Sequence, residues 1–257
     1  MLDSFLYIVI TQAVCLLSLV LLIILITVHI AKKQGFKTKD YIFSIIFLIG
    51  IYLFIPFFFL YKGYAIQNPN LIEKSLKLSI NPYEKRLCHS FLADIYANDI
   101  SKQGIKDGNK AIFHKEQALK GEYEKYKGEA TLLAFWYSIK GDYNKTIEIN
   151  TILNSQNSIS LMNIYILNDE YEKALESLKN DNISIANFLK ADLYRKLGNK
   201  EQEKTAFEIA QQTYNKQISK YKNNSEKMKY EENANRYKSV ENYKGWLKEK
   251  RIEFNFR

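Results

Sequence analysis

The side chains best suited to proton transfer, nucleophilic attack or metal ligation are sparse in this chain: His29, His89 and His114, Cys15 and Cys88, and acidic pairs such as Glu231-Glu232. A metal centre needs ligands that converge on one point. Cys88 and His89 are neighbours in sequence, so a helix aims them in different directions. Phosphate chemistry has no cradle, because the ten glycines are scattered and form neither G-x-x-x-x-G-K-[ST] nor G-x-G-x-x-G. No G-x-S-x-G elbow presents a nucleophile, and Glu231-Glu232 belongs to a highly charged helical stretch where both carboxylates stay solvated. The sequence therefore predicts no catalytic residue, no metal and no cofactor. What it offers instead is recognition chemistry: aromatic side chains that anchor an apolar group, and amides or guanidinium groups that hold a backbone or a carboxylate.

Which of those residues act together depends on the elements that carry them, and hydropathy divides the chain first. Residues 5–30 read FLYIVITQAVCLLSLVLLIILITVHI, 26 residues without a charge, where about 20 suffice to cross a bilayer. A second uncharged run at 41–61, YIFSIIFLIGIYLFIPFFFLY, has tyrosine at both ends, the level at which aromatic rings meet headgroups. Pro56 within it is tolerable in a span, with a kink, when neighbouring groups satisfy the carbonyl it frees. The first run does not read as a cleaved signal peptide: MLDS before it lacks Lys and Arg, its apolar core is too long, and no A-x-A-like site follows. Between the runs, AKKQGFKTKD at 31–40 sets four lysines against Asp40, and lysines stay on the cytoplasmic side. The expectation is an integral membrane protein of a bacterial inner membrane, with a transmembrane hairpin in residues 1–62, a basic cytoplasmic loop, and the C-terminal part extracytoplasmic. Lys62, Lys74 and Lys77 weigh the other way. Cys88 is the only cysteine outside the runs, so the remainder makes no internal disulfide.

After Asn70 apolar residues recur three and four apart, the period of a helix, and no proline follows Pro82. The chain is predicted to be all-α. Tyr137, Tyr165 and Tyr194 stand 28 and 29 residues apart, and behind them come the blocks KGDY, NDEY and LGNK. Each reads as helix, tight turn, helix, with Gly or Asn in the left-handed conformation that closes the first helix. Ala174 and Leu175 in one unit, and Phe207 and Ala210 in another, allow the second helix to pack closely.

Leu133, Ala134, Tyr137, Gly141, Tyr143 and Thr146, then Leu161, Tyr165, Tyr171 and Ala174, then Ala191, Tyr194, Gly198, Phe207 and Ala210 resemble the tetratricopeptide repeat. The units are shorter than the family's period of about 34, Glu203 replaces an alanine and Lys190 an apolar residue. The resemblance is to a degenerate tetratricopeptide-like α-solenoid over residues 63–215, tightly stacked in the middle and irregular between 98 and 128. It implies a concave, protein-binding face lined by the first helix of each pair. Counted from the tyrosines, that face holds Thr131, Phe135 and Ser138, then Ile159, Asn163 and Ile166, then Phe188, Asp192 and Arg195. Either a partner protein occupies it, or the chain's own C-terminal helix does.

Residues 62–257 carry a net charge of +7, of which +6 falls from residue 211 onward. Residues 216–257 are expected as one basic capping helix continuing an apolar stripe of Tyr214, Ile218, Tyr221 and Met228. Its basic face suits anionic lipid headgroups or an acidic partner. An extracytoplasmic location argues against nucleic acid. Taken together the chain reads as a non-enzymatic, membrane-tethered adaptor or scaffold for assembling an envelope protein complex. The alternative is an accessory subunit of a transporter or channel, or a membrane immunity protein, acting through its spans.

Overall fold

The computed structural model describes residues 17–28 apart from 19 and 25, and residues 38–97, 106–155, 158–179 and 186–256. All regular structure among them is helical. Most of the first expected span and all of 31–37 lie outside the described residues, so only the second apolar run can be followed through. The chain forms two compact units, Met1–Ile105 and Lys106–Arg257. Two helices expected to open the solenoid thus belong with the apolar run instead, and the reason is visible in their packing.

In the first unit, α1 (Thr38–Ala65) is followed by α2 (Pro69–Leu78) and α3 (Pro82–Ala97). Tyr41–Ala65 is long and apolar enough to cross a membrane, with a mean hydropathy of 2.6; at 1.5 Å per residue it rises about 37 Å. Its first half leaves Ile42, Phe43, Ile45, Ile46, Leu48 and Ile49 exposed. Its second half buries Pro56, Phe57, Leu60 and Gly63 where α2 and α3 pack. Gly63 permits this approach, because a Cβ there would stand 2.7 Å from Ile72 Cγ1 and 3.0 Å from the Ile72 nitrogen. The Asn68 side chain accepts from the Asn70 N–H at 3.0 Å and Pro69 follows at the first helical position, a combination that starts a helix. Ser75 donates its hydroxyl to the Pro56 carbonyl at 2.5 Å and accepts from the Cys88 thiol at 3.4 Å. Burial pushes that thiol up to about 11.

The second unit contains α4 (Gly108–Leu119), α5 (Lys127–Lys140), α6 (Tyr143–Ile152), α7 (Ile159–Leu167), α8 (Tyr171–Ser177), α9 (Ala186–Lys196), α10 (Lys200–Ile218), α11 (Asn224–Tyr237) and α12 (Val240–Glu253). Helices α5–α6, α7–α8 and α9–α10 pair with one another. The three turns share one hydrogen bond: the carbonyls of Tyr137, Tyr165 and Tyr194 accept the N–H groups of Asp142, Glu170 and Asn199 at 2.9, 2.8 and 2.9 Å. This is the bond that satisfies an orphan carbonyl at a helix C-terminus. Gly141 and Gly198 take the left-handed conformation, at φ +86° and +77°. In the middle turn it is Asp169, at φ +59°, and not Asn168, at φ −95°. Acidic and amide residues both tolerate that region, and the Asp169 carboxylate is held there by Tyr171 and Lys244.

Small and aliphatic residues and one methionine fill the space between the pairs: Ala134, Ile149, Met162, Ala174, Leu189, Leu193 and Ala210 are all fully buried. Helix α5 packs on α7, α7 on α6, and α8 on α9. The expected single capping helix from 216 is instead the end of α10 followed by two separate helices. Asn223 caps α11 by accepting from Ser225 N–H at 2.9 Å, and Ser239 caps α12 by accepting from Asn242 N–H at 3.0 Å. These two caps break the continuous helix that charge and periodicity suggested.

Candidate functional site

Helix α12 packs on α5, α7 and α9, the first helix of each pair, so it occupies the face that the tyrosine count assigned to binding. Its sequence dictates which side turns inward. Val240, Tyr243 and Leu247 recur three and four apart, one stripe of a helix, and are 0%, 0% and 1% exposed. Glu241, Asn242, Lys248 and Glu249 point to solvent.

Two polar contacts fix its register. The Tyr243 hydroxyl donates to Asn163 Oδ1 at 2.8 Å, Asn163 Nδ2 donates to Ser138 Oγ at 2.9 Å, and the Ser138 hydroxyl donates to the Phe135 carbonyl at 2.7 Å. This relay ties α12 to α7 and α5 through groups with almost no solvent access. On α9, Asp192 is 5% exposed and its Oδ2 accepts the Val240 N–H at 2.7 Å. The carboxylate thereby meets an orphan amide at the positive end of the α12 dipole. Arg195 pairs with its other oxygen.

Ion pairs line the edges. Lys196 holds Glu241 and Lys244 holds Asp169. The Lys244 ammonium and the Tyr171 hydroxyl hold the Asp169 carboxyl below its usual range, and Lys196 does the same for Glu241. The Asp169 contact pushes the Tyr171 phenol up to about 12. Beyond α12 the chain docks on the start of α4, where the Gly108 N–H donates to the Phe254 carbonyl at 2.6 Å. A Cβ at Gly108 would stand 2.4 Å from the Phe256 ring, so only glycine admits this tail. Lys106 pairs with Glu253 and lies 4.8 Å from the Phe254 ring centroid.

Of the residues expected on the concave face, Ser138, Asn163 and Asp192 come together along the seam under α12. Phe188 is buried 6.0 Å from each of the Phe207 and Tyr214 rings, in an aromatic cluster that Tyr230 extends by stacking on Tyr214 at 5.7 Å. Ile166 is buried and Ile159 is exposed. Thr131 is exposed, its hydroxyl donating to the Lys127 carbonyl at 2.8 Å; Phe135 is half-buried and Arg195 exposed. The sequence reading missed Val240, Tyr243 and Leu247. Their three-and-four spacing was the available signal, overshadowed by a stripe ending at Met228, which is 68% exposed.

A second hollow of about 350 Å³ lies between α6, α7 and α8, with Asn150, Lys173, Glu176 and Ser177 in its wall. Its buried polar groups are engaged internally: Asn150 Nδ2 donates to the Thr146 carbonyl at 2.7 Å and the Ser177 hydroxyl to the Ala174 carbonyl at 2.8 Å. Among the described residues no group of three or more His, Cys, Asp or Glu side chains converges. No family model, curated protein or solved structure matches the chain.

Proposed function

We propose that the protein is a membrane-tethered, protein-binding adaptor: a degenerate tetratricopeptide-like solenoid, held at a bilayer by its N-terminal apolar runs, that takes a partner during assembly of an envelope complex. The observation that supports this most is that the face of α5, α7 and α9 already holds an amphipathic helix through a specific polar seam, which is the chemistry of helix-in-groove recognition. The exposed apolar half of α1 supports attachment to lipid, since soluble proteins rarely leave so large an apolar surface in water. The lysines of 31–40 favour a cytoplasmic loop, with the solenoid on the extracytoplasmic side. Tethering raises the effective concentration of the groove for partners in the same membrane.

Photo-crosslinking residues placed at the exposed positions Thr131 and Arg195, followed by purification from membranes, test the reading. One recurrent protein captured from both positions is expected. Association that maps only to residues 5–61 would favour an accessory subunit working through its spans, and capture of nothing from either position would sink the adaptor. For the orientation, protease is expected to reach the second unit before the inner membrane is breached. Cleavage only after the breach overturns the extracytoplasmic assignment.

A further inference from the structure

The contacts of α12 have the character of a recognition code. Its anchors are Val240, Tyr243 and Leu247, and two of the interactions that fix it, Tyr243 to Asn163 and the Val240 N–H to Asp192, are polar and desolvated. For permanent packing, apolar side chains of the same shape would serve at least as well, because paired buried polar groups contribute little net stability. What such groups add is discrimination: an occupant lacking the matching donor leaves them orphaned. They also ease opening, since Asn163, Ser138 and Asp192 can be hydrated once α12 lifts, whereas a groove of leucines could not. No helix pair depends on α12, because α5, α7 and α9 each pack on their own second helix.

We propose that the α5–α7–α9 groove is a receptor for an amphipathic helix with a β-branched residue in its first turn, a tyrosine three positions later and a leucine four beyond that, and that α12 is an internal copy of this ligand, displaced when a partner's helix binds. The proposal rests on the adaptor reading and specifies the partner's chemistry. Asp192 takes the helix's first amide and Asn163 takes the phenol. At the edges, Lys196 selects an acid directly after the first anchor and Asp169 a base four positions after it, as Glu241 and Lys244 are now placed. The partner is therefore a helix that begins at Asp192, since a longer helix running through that point would have no free amide for the carboxylate.

The test uses the full chain in detergent micelles and a fluorescein-labelled peptide of residues 239–256, followed by anisotropy. Tyr243→Phe in the chain weakens only the internal copy, so the peptide should bind about tenfold tighter than to the unaltered chain. Replacing the peptide's own tyrosine by phenylalanine should weaken it about tenfold on that same variant, and this loss should vanish when Asn163→Ala is added to the chain. Leu247→Ala is a second way of weakening the internal copy, and helicity by circular dichroism verifies folding of each variant. Equal affinity for the unaltered and Tyr243→Phe chains overturns displacement. So does absence of binding to both weakened variants with helicity intact. In either case a partner still captured from Thr131 or Arg195 leaves the adaptor standing, whereas loss of capture as well removes both.

Discussion

The Asn163–Tyr243 contact can be tested as a stability cycle independent of any ligand. Tyr243→Phe deletes one donor and leaves Asn163 Oδ1 facing an apolar ring; an orphaned buried acceptor costs about 1–3 kcal/mol. Asn163→Leu, which keeps the branching at Cγ but is bulkier, removes the acceptor of the Tyr243 hydroxyl, while Ser138 keeps its bond to the Phe135 carbonyl. Its expected loss is of similar size. The double variant removes both partners and restores an apolar contact, so it should be less destabilised than the sum of the singles by about 1–2 kcal/mol. For a unit of this length about 2–4 °C of Tm corresponds to 1 kcal/mol, which makes each single shift readable by circular dichroism melts in detergent. No single loss can exceed the free energy with which α12 docks. If Tyr243→Phe and Leu247→Ala level off at one common value, that value is the docking free energy. Strictly additive singles, or a Tyr243→Phe loss under about 0.3 kcal/mol, would refute a shared desolvated hydrogen bond.

Gly108→Ala drives a methyl group into the Phe256 ring and the Phe254 carbonyl, so the tail beyond α12 should lose amide protection while α5 and α7 keep theirs; an unchanged exchange pattern would contradict the tail docking. Gly141→Ala forces an L side chain to φ +86° and should cost about 1–2 kcal/mol, measured by urea unfolding, with a loss below a few tenths arguing against the left-handed turn. The depressed carboxyls of Asp169 and Glu241 contribute stability above their unfolded values near about 4, lost as pH falls through the folded values. Protection of α12, corrected for intrinsic exchange, should therefore decline below about pH 4 and also decline in high salt, because both carboxylates are solvent-exposed. Flat profiles would remove them from the docking. With its thiol near 11, Cys88 in a Cys15→Ser background should resist a thiol reagent at neutral pH and react after denaturation; fast native reaction would contradict its burial.

The three-fold helix–turn–helix order was legible because it rests on local rules. A tyrosine, a turn block and small residues at fixed offsets specify where a helix must stop, and the carbonyls of Tyr137, Tyr165 and Tyr194 do stop there. That Ser138, Asn163 and Asp192 fall on one side of their helices follows from helical periodicity, whereas Thr131, Ile159 and Arg195, counted onto the same face, are exposed. What fills that face was left open, because contacts such as Tyr243 to Asn163 join residues 80 positions apart and no local pattern encodes them. Placement of α2 and α3 against α1 was hidden too. It depends on Gly63 lying opposite Ile72 and on Ser75 reaching the Pro56 carbonyl, both of which appear only after the chain has turned back at Asn68-Pro69.

One regularity links the recurring tyrosines to the polar seam under α12. The position two residues before each repeat tyrosine is Phe135 on α5, Asn163 on α7 and Asp192 on α9, and these lie 28 and 29 residues apart just as the tyrosines do. The three helices that carry them all pack on α12. Here they present an aromatic ring, an amide and a carboxylate in order. Helix α12 crosses them in the opposite sense, offering its first amide to the carboxylate and its tyrosine to the amide, with Leu247 following on the stretch that reaches α5. Each helix pair thus carries a side chain of different chemistry at the equivalent position. On the proposed receptor reading, substitutions at those positions would alter which helix is taken, while the tyrosine carbonyls and buried alanines that hold the helix pairs together stay as they are.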